Sequence, residues 1–130
     1  MMIGIGTDLV NIKHFQASLK KTPTLCARVF TEEERAKAKQ LGPTKKIAYY
    51  AKRFAAKEAF SKACGTGIGA EISWQDISVL NDKKGAPIST LSPKALHFLE
   101  KKFKSKKIKV LLSLTDEKDY AMAFVVLENK

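Results

Sequence analysis

Acid, cysteine and histidine are all scarce in this chain. Against 24 lysines and arginines stand 13 aspartates and glutamates, which leaves a formal net charge of +11. The two cysteines, Cys26 and Cys64, form no Cys-x-x-Cys or Cys/His pattern, so a zinc site and a disulfide framework are both excluded as organising devices. They read instead as reduced thiols of a cytosolic protein. His97 has no second ligand at metal spacing and reads as structural. No apolar run is long enough to span a bilayer and no cleavable signal precedes the first strand, so a soluble, cytoplasmic chain is expected, with no membrane partner. No Ser/His/Asp series stands in recognisable context, and Ser61 reads as a small packing residue rather than a nucleophile. Repeats and low-complexity linkers are absent too. The 130 residues make one domain, 1–130, large enough for its own core yet short for a lone enzyme with a deep cleft, so oligomerisation is expected.

Two segments carry chemistry. In the first, Arg53-Phe54-Ala55-Ala56-Lys57-Glu58-Ala59-Phe60-Ser61-Lys62-Ala63-Cys64, helical spacing sets Glu58 and Lys62 one turn apart on one face. A carboxylate beside an ammonium can hold a divalent cation and a phosphate together; the same pattern also suits a solvated helix with a weak surface ion pair. Gly65-Thr66-Gly67-Ile68-Gly69 follows and ends the helix. The second segment, Met2 to Val10, alternates as a strand: Ile3, Ile5, Thr7 and Leu9 share one face, and Gly4, Gly6 and Asp8 the other. The glycines leave room for a close approach of backbone or ligand, and Asp8 is either a ligand or the cap of a turn. Gly4-x-Gly6 lacks the third glycine and the immediate helix of a dinucleotide fingerprint.

Around these segments the pattern predicts alternating elements. A short helix spans Asn11 to Leu19, followed by a loop at Lys21-Thr22-Pro23. Thr31 with Glu34 forms a capping-box signature, so a helix runs from there to about Leu41, where Gly42-Pro43 stops it. The motif helix covers about Lys45 to Cys64. Trp74 to Leu80 alternates as a strand and leads into the turn composition Asn81 to Gly85, ahead of Pro87. Ser92-Pro93 opens a helix that reaches Phe103. Ile108, Val110, Leu112 and Leu114 share a face, and with Tyr120 to Leu127 they make a terminal antiparallel pair. The fold class is α+β, an antiparallel sheet packed with a long motif helix.

The basic balance fits two kinds of partner, acidic proteins and nucleic acid. Against nucleic acid, the densest basic run, Lys101 to Lys109, has no arginine and little aromatic interleaving.

Gly4-Ile5-Gly6-Thr7-Asp8-Leu9-Val10, taken with Arg53 to Ala59 and Lys62 to Gly67, resembles the holo-acyl-carrier-protein synthases, small 4'-phosphopantetheinyl transferases of fatty-acid synthesis. The likeness continues through Phe30 to Glu34, Asn81 to Pro87, Ser113 to Glu117 and Tyr120 to Ala123. It implies the 4'-phosphopantetheinyl transferase fold and transfer of phosphopantetheine from coenzyme A to a serine of an acidic apo acyl carrier protein. It also implies a homotrimer with active sites between subunits, and no nucleic-acid partner. By the same resemblance Asp8 and Glu58 bind Mg2+, and Lys62 neutralises or protonates the leaving bisphosphate. Arg53, Gly65, Gly85, Pro87, Ser113 and Thr115 are the substrate-binding positions that it suggests, although helical geometry turns Arg53 about 140° from Glu58. Two departures stand out. Where the family commonly reads Ser-x-Ser-His this chain has Ser113-Leu114-Thr115-Asp116, and where it shows a glutamate and, three residues later, an arginine that grips the carrier, this chain has Asn11 and His14. An imidazole carries full charge only in acidic solution, so carrier affinity through His14 would weaken as pH rises. The alternative is that His14 caps or packs the short helix.

Overall fold

The computed structural model describes residues 1–130. Its centre is α4 (Pro43–Ala63), against which three strands pack: β1 (Met2–Asn11), β4 (Ile108–Asp116) and β5 (Tyr120–Asn129), in the order β1-β5-β4 and antiparallel throughout. A separate hairpin joins β2 (Ile77–Asn81) to β3 (Pro87–Leu91). Between β1 and α4 lie α1 (Ile12–Lys21), α2 (Leu25–Val29) and α3 (Glu32–Ala38), and α5 (Pro93–Phe103) precedes β4.

The sheet sits close to α4 because both surfaces are built from small residues. Ala55, Ala59 and Ala63 are spaced by four and buried on one stripe of the helix. Opposite them are Gly4 and Gly6. A Cβ on Gly6 would stand 1.9 Å from the Ala59 carbonyl oxygen, and one on Gly4 would stand 2.3 Å from that of Ala63. The close approach left open by the two glycines is therefore made by the motif helix. Ala121, Ala123, Val125 and Leu127 of β5 complete the inner face, each fully buried. Burying a side chain of the size of Leu127 contributes about 2 kcal/mol.

The other face of β1 is uncovered within the chain. Ile5 and Leu9 point outward in register with Val126 and Met122, and Phe124 and Leu111 are exposed on the same side. The apolar alternation of β1 thus marks an outer surface, while the glycine side faces the core.

A buried ion pair ties the helices to the hairpin. Thr31 and Glu34 form the expected capping box, the Thr31 N–H donating to Glu34 Oε1 at 2.8 Å and the Glu34 N–H to Thr31 Oγ1 at 3.3 Å. Glu34 also accepts from the Val79 N–H at 2.7 Å and pairs with Lys57 Nζ at 2.9 Å, with neither side chain exposed. Lys57 donates further to the carbonyls of Trp74 and Ile77. All of its ammonium protons therefore find acceptors, which is the condition for burying a charge at all.

Three expectations need correction. The helix after Thr31 ends at Ala38, since Gln40 N–H bonds the Lys37 carbonyl in a tightening turn, and Gly42-Pro43 opens α4 with proline at its first turn. α2 lies beyond the Lys21-Thr22-Pro23 loop, where no helix was expected; its five residues are too few to show a period. Trp74–Asp76 is a 3-10 turn, and the strand begins at Ile77. Asp76 imposes that turn by accepting from the Ser73 N–H at 2.7 Å and the Ser73 hydroxyl at 2.9 Å.

Candidate active site

α4 carries two chemically different stripes, and each opens into its own cavity. Phe54, Glu58 and Lys62, spaced by four, line a cavity of about 600 Å³ together with Asp8, His14 and Trp74. Lys45, Tyr49, Lys52 and Arg53 line another of about 320 Å³, closed by Gly85 and Pro87 from the hairpin and by Asp116 from β4. The two cavities share no lining residue.

In the first cavity β1 delivers Asp8 beside the motif helix. Lys62 Nζ does not pair with Glu58 along the helix; it crosses to the strand, 3.1 Å from Asp8 Oδ1 and 3.0 Å from the Thr7 carbonyl. The half-buried Glu58 carboxylate accepts no hydrogen bond and makes no ion pair, and only its backbone carbonyl is engaged, by Ser61. Burial first, then the charge of Asp8, raises the Glu58 pKa above the usual carboxylate value, with Lys62 opposing. Two carboxylates facing one another, one of them unpartnered, form an oxygen donor set that suits a hard divalent cation. They are too few to hold it alone, and no cluster of three or more acidic, histidine or cysteine ligands exists in the chain. A cation here would take its remaining oxygens from water and a ligand's phosphates. The wall opposite is aromatic: Phe54 stacks on Trp74 with centroids 5.1 Å apart. That wall was missed in the sequence, although the spacing of Phe54, Glu58 and Lys62 carried its signal. His14 borders the cavity, and its backbone N–H bonds the capping side chain of Asn11 at 3.0 Å.

Arg53 belongs to the second cavity, as its turn about the helix required. It is 2% exposed, donates from Nε to the Val79 carbonyl at 3.1 Å and from its terminal nitrogen to Asn81 Oδ1, and its guanidinium lies 3.9 Å over the Tyr49 ring. Burial lowers its pKa from the usual arginine value. Two of its five N–H donors are engaged in this way, and Arg53 lines the cavity wall and lends it positive charge. Gly85 closes the hairpin turn with φ +90°, where a side chain would be strained. Lys52 Nζ and Asp116 Oδ1 stand 3.1 Å apart across the mouth of this cavity, another pairing that the sequence did not disclose.

Three expected substrate-binding positions lie outside both cavities. Gly65 follows α4 with φ +79°, and a Cβ there would meet Lys102 Nζ at 2.6 Å; that ammonium caps the helix through the Cys64 carbonyl at 2.5 Å. Ser113 and Thr115 sit in register with Phe124 and Met122 on the exposed outer face of the sheet. Strand alternation puts them on the side opposite Asp116.

Comparison with known proteins agrees with this architecture. The family described as the 4'-phosphopantetheinyl transferase superfamily matches residues 4–125. The chain is similar to the holo-[acyl-carrier-protein] synthase of Pelagibacter ubique, 42% identical over 99% of this chain and 98% of that one. It is also similar to the enzyme of the same name from Zymomonas mobilis, 47% identical over 98% and 97% of the two chains. Among solved structures, the holo-[acyl-carrier-protein] synthase of Neisseria meningitidis superposes with a TM-score of 0.88 at 41% identity, covering 99% of this chain and all of that one. The synthase of Bacillus anthracis, solved in complex with CoA (3',5'-ADP), gives 0.84 at 40% identity, covering 100% and 99%. The chain belongs to the holo-[acyl-carrier-protein] synthases, enzymes of the 4'-phosphopantetheinyl transferase superfamily.

Proposed function

We propose that this protein transfers 4'-phosphopantetheine from coenzyme A to a serine of an apo acyl carrier protein, in a magnesium-dependent reaction that serves fatty-acid synthesis in the cytoplasm. The observation that carries the reading is the unpartnered Glu58 carboxylate facing Asp8 and Lys62 in one cavity. The serine oxygen bonds to the β-phosphorus of coenzyme A while the pyrophosphate linkage breaks. The serine proton departs, and adenosine 3',5'-bisphosphate leaves.

Asp8 and Glu58 are the residues that would hold the magnesium, which when bound supplies charge withdrawal from the pyrophosphate under attack. Lys62 contributes a compact ammonium to the same cavity, already oriented by Asp8, and neutralises the charge that grows on the leaving phosphate. The stacked Phe54 and Trp74 exclude water on one side, which strengthens those electrostatic contacts. The cavity of Lys45, Arg53, Gly85 and Pro87 takes the nucleotide half of coenzyme A.

Because the two cavities share no residue, we read the working site as composite, the metal half from one subunit and the nucleotide half from its neighbour in a homotrimer. The uncovered apolar face of β1 and β5 supports this assembly, since a water-facing patch of Ile5, Leu9, Met122 and Phe124 is what a subunit contact would bury. Ser113 and Thr115, useless to their own chain's cavities, lie on that face and would reach a neighbour's ligand. A net charge of +11 favours an acidic carrier and raises its rate of encounter at low salt. His14, at the rim of the metal-side cavity, is placed to meet it.

The test is to follow adenosine 3',5'-bisphosphate after mixing the protein with coenzyme A, apo carrier and magnesium. Release in step with holo carrier, lost on chelation, is expected. A folded protein that releases none with any of several carriers contradicts the proposal.

A further inference from the structure

The nucleotide-side cavity contains a charge that works against its ligand. Lys45, Lys52 and Arg53 on α4 are basic, as an anion site requires, yet Asp116 at the end of β4 puts a carboxylate on the same wall. That carboxylate is 3.1 Å from Lys52 Nζ, and the two side chains are 27% and 33% exposed, enough to meet a ligand at the mouth. Arg53 is 2% exposed, held by Val79, Asn81 and the Tyr49 ring at the back of the wall. The cations of this wall that reach solvent are Lys45 and Lys52, and Lys45 has no partner within the chain, so its ammonium is free to swing.

We infer that Lys52 is a phosphate-binding residue of the nucleotide-side cavity and that Asp116 is its positioning residue. Lysine has four rotatable bonds and loses much side-chain freedom when a ligand fixes it. Asp116 imposes that order beforehand, across the gap between helix and strand. An ammonium has three protons, so one can remain on Asp116 while others turn to a phosphate oxygen. The inference rests on the proposal that this cavity receives the nucleotide of coenzyme A.

The sign of one substitution separates positioning from simple electrostatics. If Asp116 were only a repelling charge, Asp116→Asn would improve binding of a polyanion. If it positions Lys52, the same change weakens binding. The experiment measures KM for coenzyme A and the affinity for adenosine 3',5'-bisphosphate by titration in wild type, Lys52→Met, Asp116→Asn and the double variant. Lys52→Met is expected to raise KM about tenfold, and Asp116→Asn about threefold, with the loss in KM rather than kcat. The double variant should match Lys52→Met alone, because Asp116 acts only through Lys52. Lys52→Arg should recover part of the loss. A lower KM in Asp116→Asn, additive effects in the double variant, or an unchanged KM in Lys52→Met overturns the inference while wild-type turnover leaves the proposed function intact. A wild-type protein that neither turns over nor binds coenzyme A overturns both.

Discussion

Gly6 of β1 meets Ala59 of α4 so closely that a Cβ on the glycine would stand 1.9 Å from the alanine carbonyl oxygen. This contact locates the candidate site. Two residues beyond Gly6 on the same strand face is Asp8, and one residue before Ala59 is Glu58, so the depth of the glycine contact sets the separation of the two carboxylates. Gly6→Ala is expected to cost roughly 3 kcal/mol, since the Ala59 carbonyl it would strike is backbone and cannot rotate away. Chemical denaturation measures that loss, and turnover should fall further than the unfolded fraction explains because Asp8 is pushed outward.

Glu58 supplies a pH signature. Its pKa is raised in the folded state above the usual 4.5, chiefly by burial and next by Asp8. Such a group stabilises the fold while protonated, and the contribution is lost as pH rises from the unfolded value through the folded one. Glu58→Gln should therefore raise Tm in metal-free buffer at neutral pH and match wild type below about pH 4, where both side chains are neutral. A Tm difference independent of pH contradicts the assignment.

Magnesium should stabilise the wild type in the same assay. An ion that binds only the folded chain raises Tm with concentration. Asp8→Asn and Glu58→Gln should each abolish that rise and reduce turnover by at least about a thousandfold, while circular dichroism stays unchanged. Equal magnesium shifts in wild type and both variants would place the ion elsewhere.

The outlines of this site were legible because they follow from short-range geometry. Fourfold spacing put Glu58 and Lys62 on one helical face, the capping box fixed Thr31 and Glu34, and the turn about the helix separated Arg53 from Glu58. What stayed hidden depends on which elements meet. Lys62 turns to Asp8 rather than Glu58 because the strand brings a second carboxylate within reach, a contact 54 residues away in sequence. Ser113 and Thr115 alternate away from Asp116, but strand parity alone does not say which side faces a cavity. Likewise, the apolar side of β1 lies outside because Gly4 and Gly6 are needed by the helix, a demand visible only once Ala59 and Ala63 are seen opposite.

The buried pair of Glu34 and Lys57 holds the Trp74 turn against α4, and its energetics are asymmetric. Lys57→Met should destabilise the protein by about 4 kcal/mol, because Glu34 is left charged and uncompensated in the core. Adding Glu34→Gln should recover part of that loss, since it removes the uncompensated charge while its amide oxygen still accepts from a backbone N–H. A milder effect in the single variant than in the double would contradict this view of the pair.

Assembly is tested on the outer face. Ile5→Asp and Phe124→Asp put a charge where Ile5, Leu9, Met122 and Phe124 are exposed within one chain. Sedimentation should show a trimer for wild type and folded monomers for these variants, and the monomers should lack turnover because neither cavity alone is a site. Active monomers would contradict the composite site.

The most direct test of the account is the intact mass of an apo acyl carrier protein after incubation with this protein, coenzyme A and magnesium. The account predicts a gain of one phosphopantetheine group, abolished by a chelator and by Glu58→Gln. A carrier whose mass stays unchanged with folded wild-type protein, or a gain that survives Glu58→Gln, would contradict it.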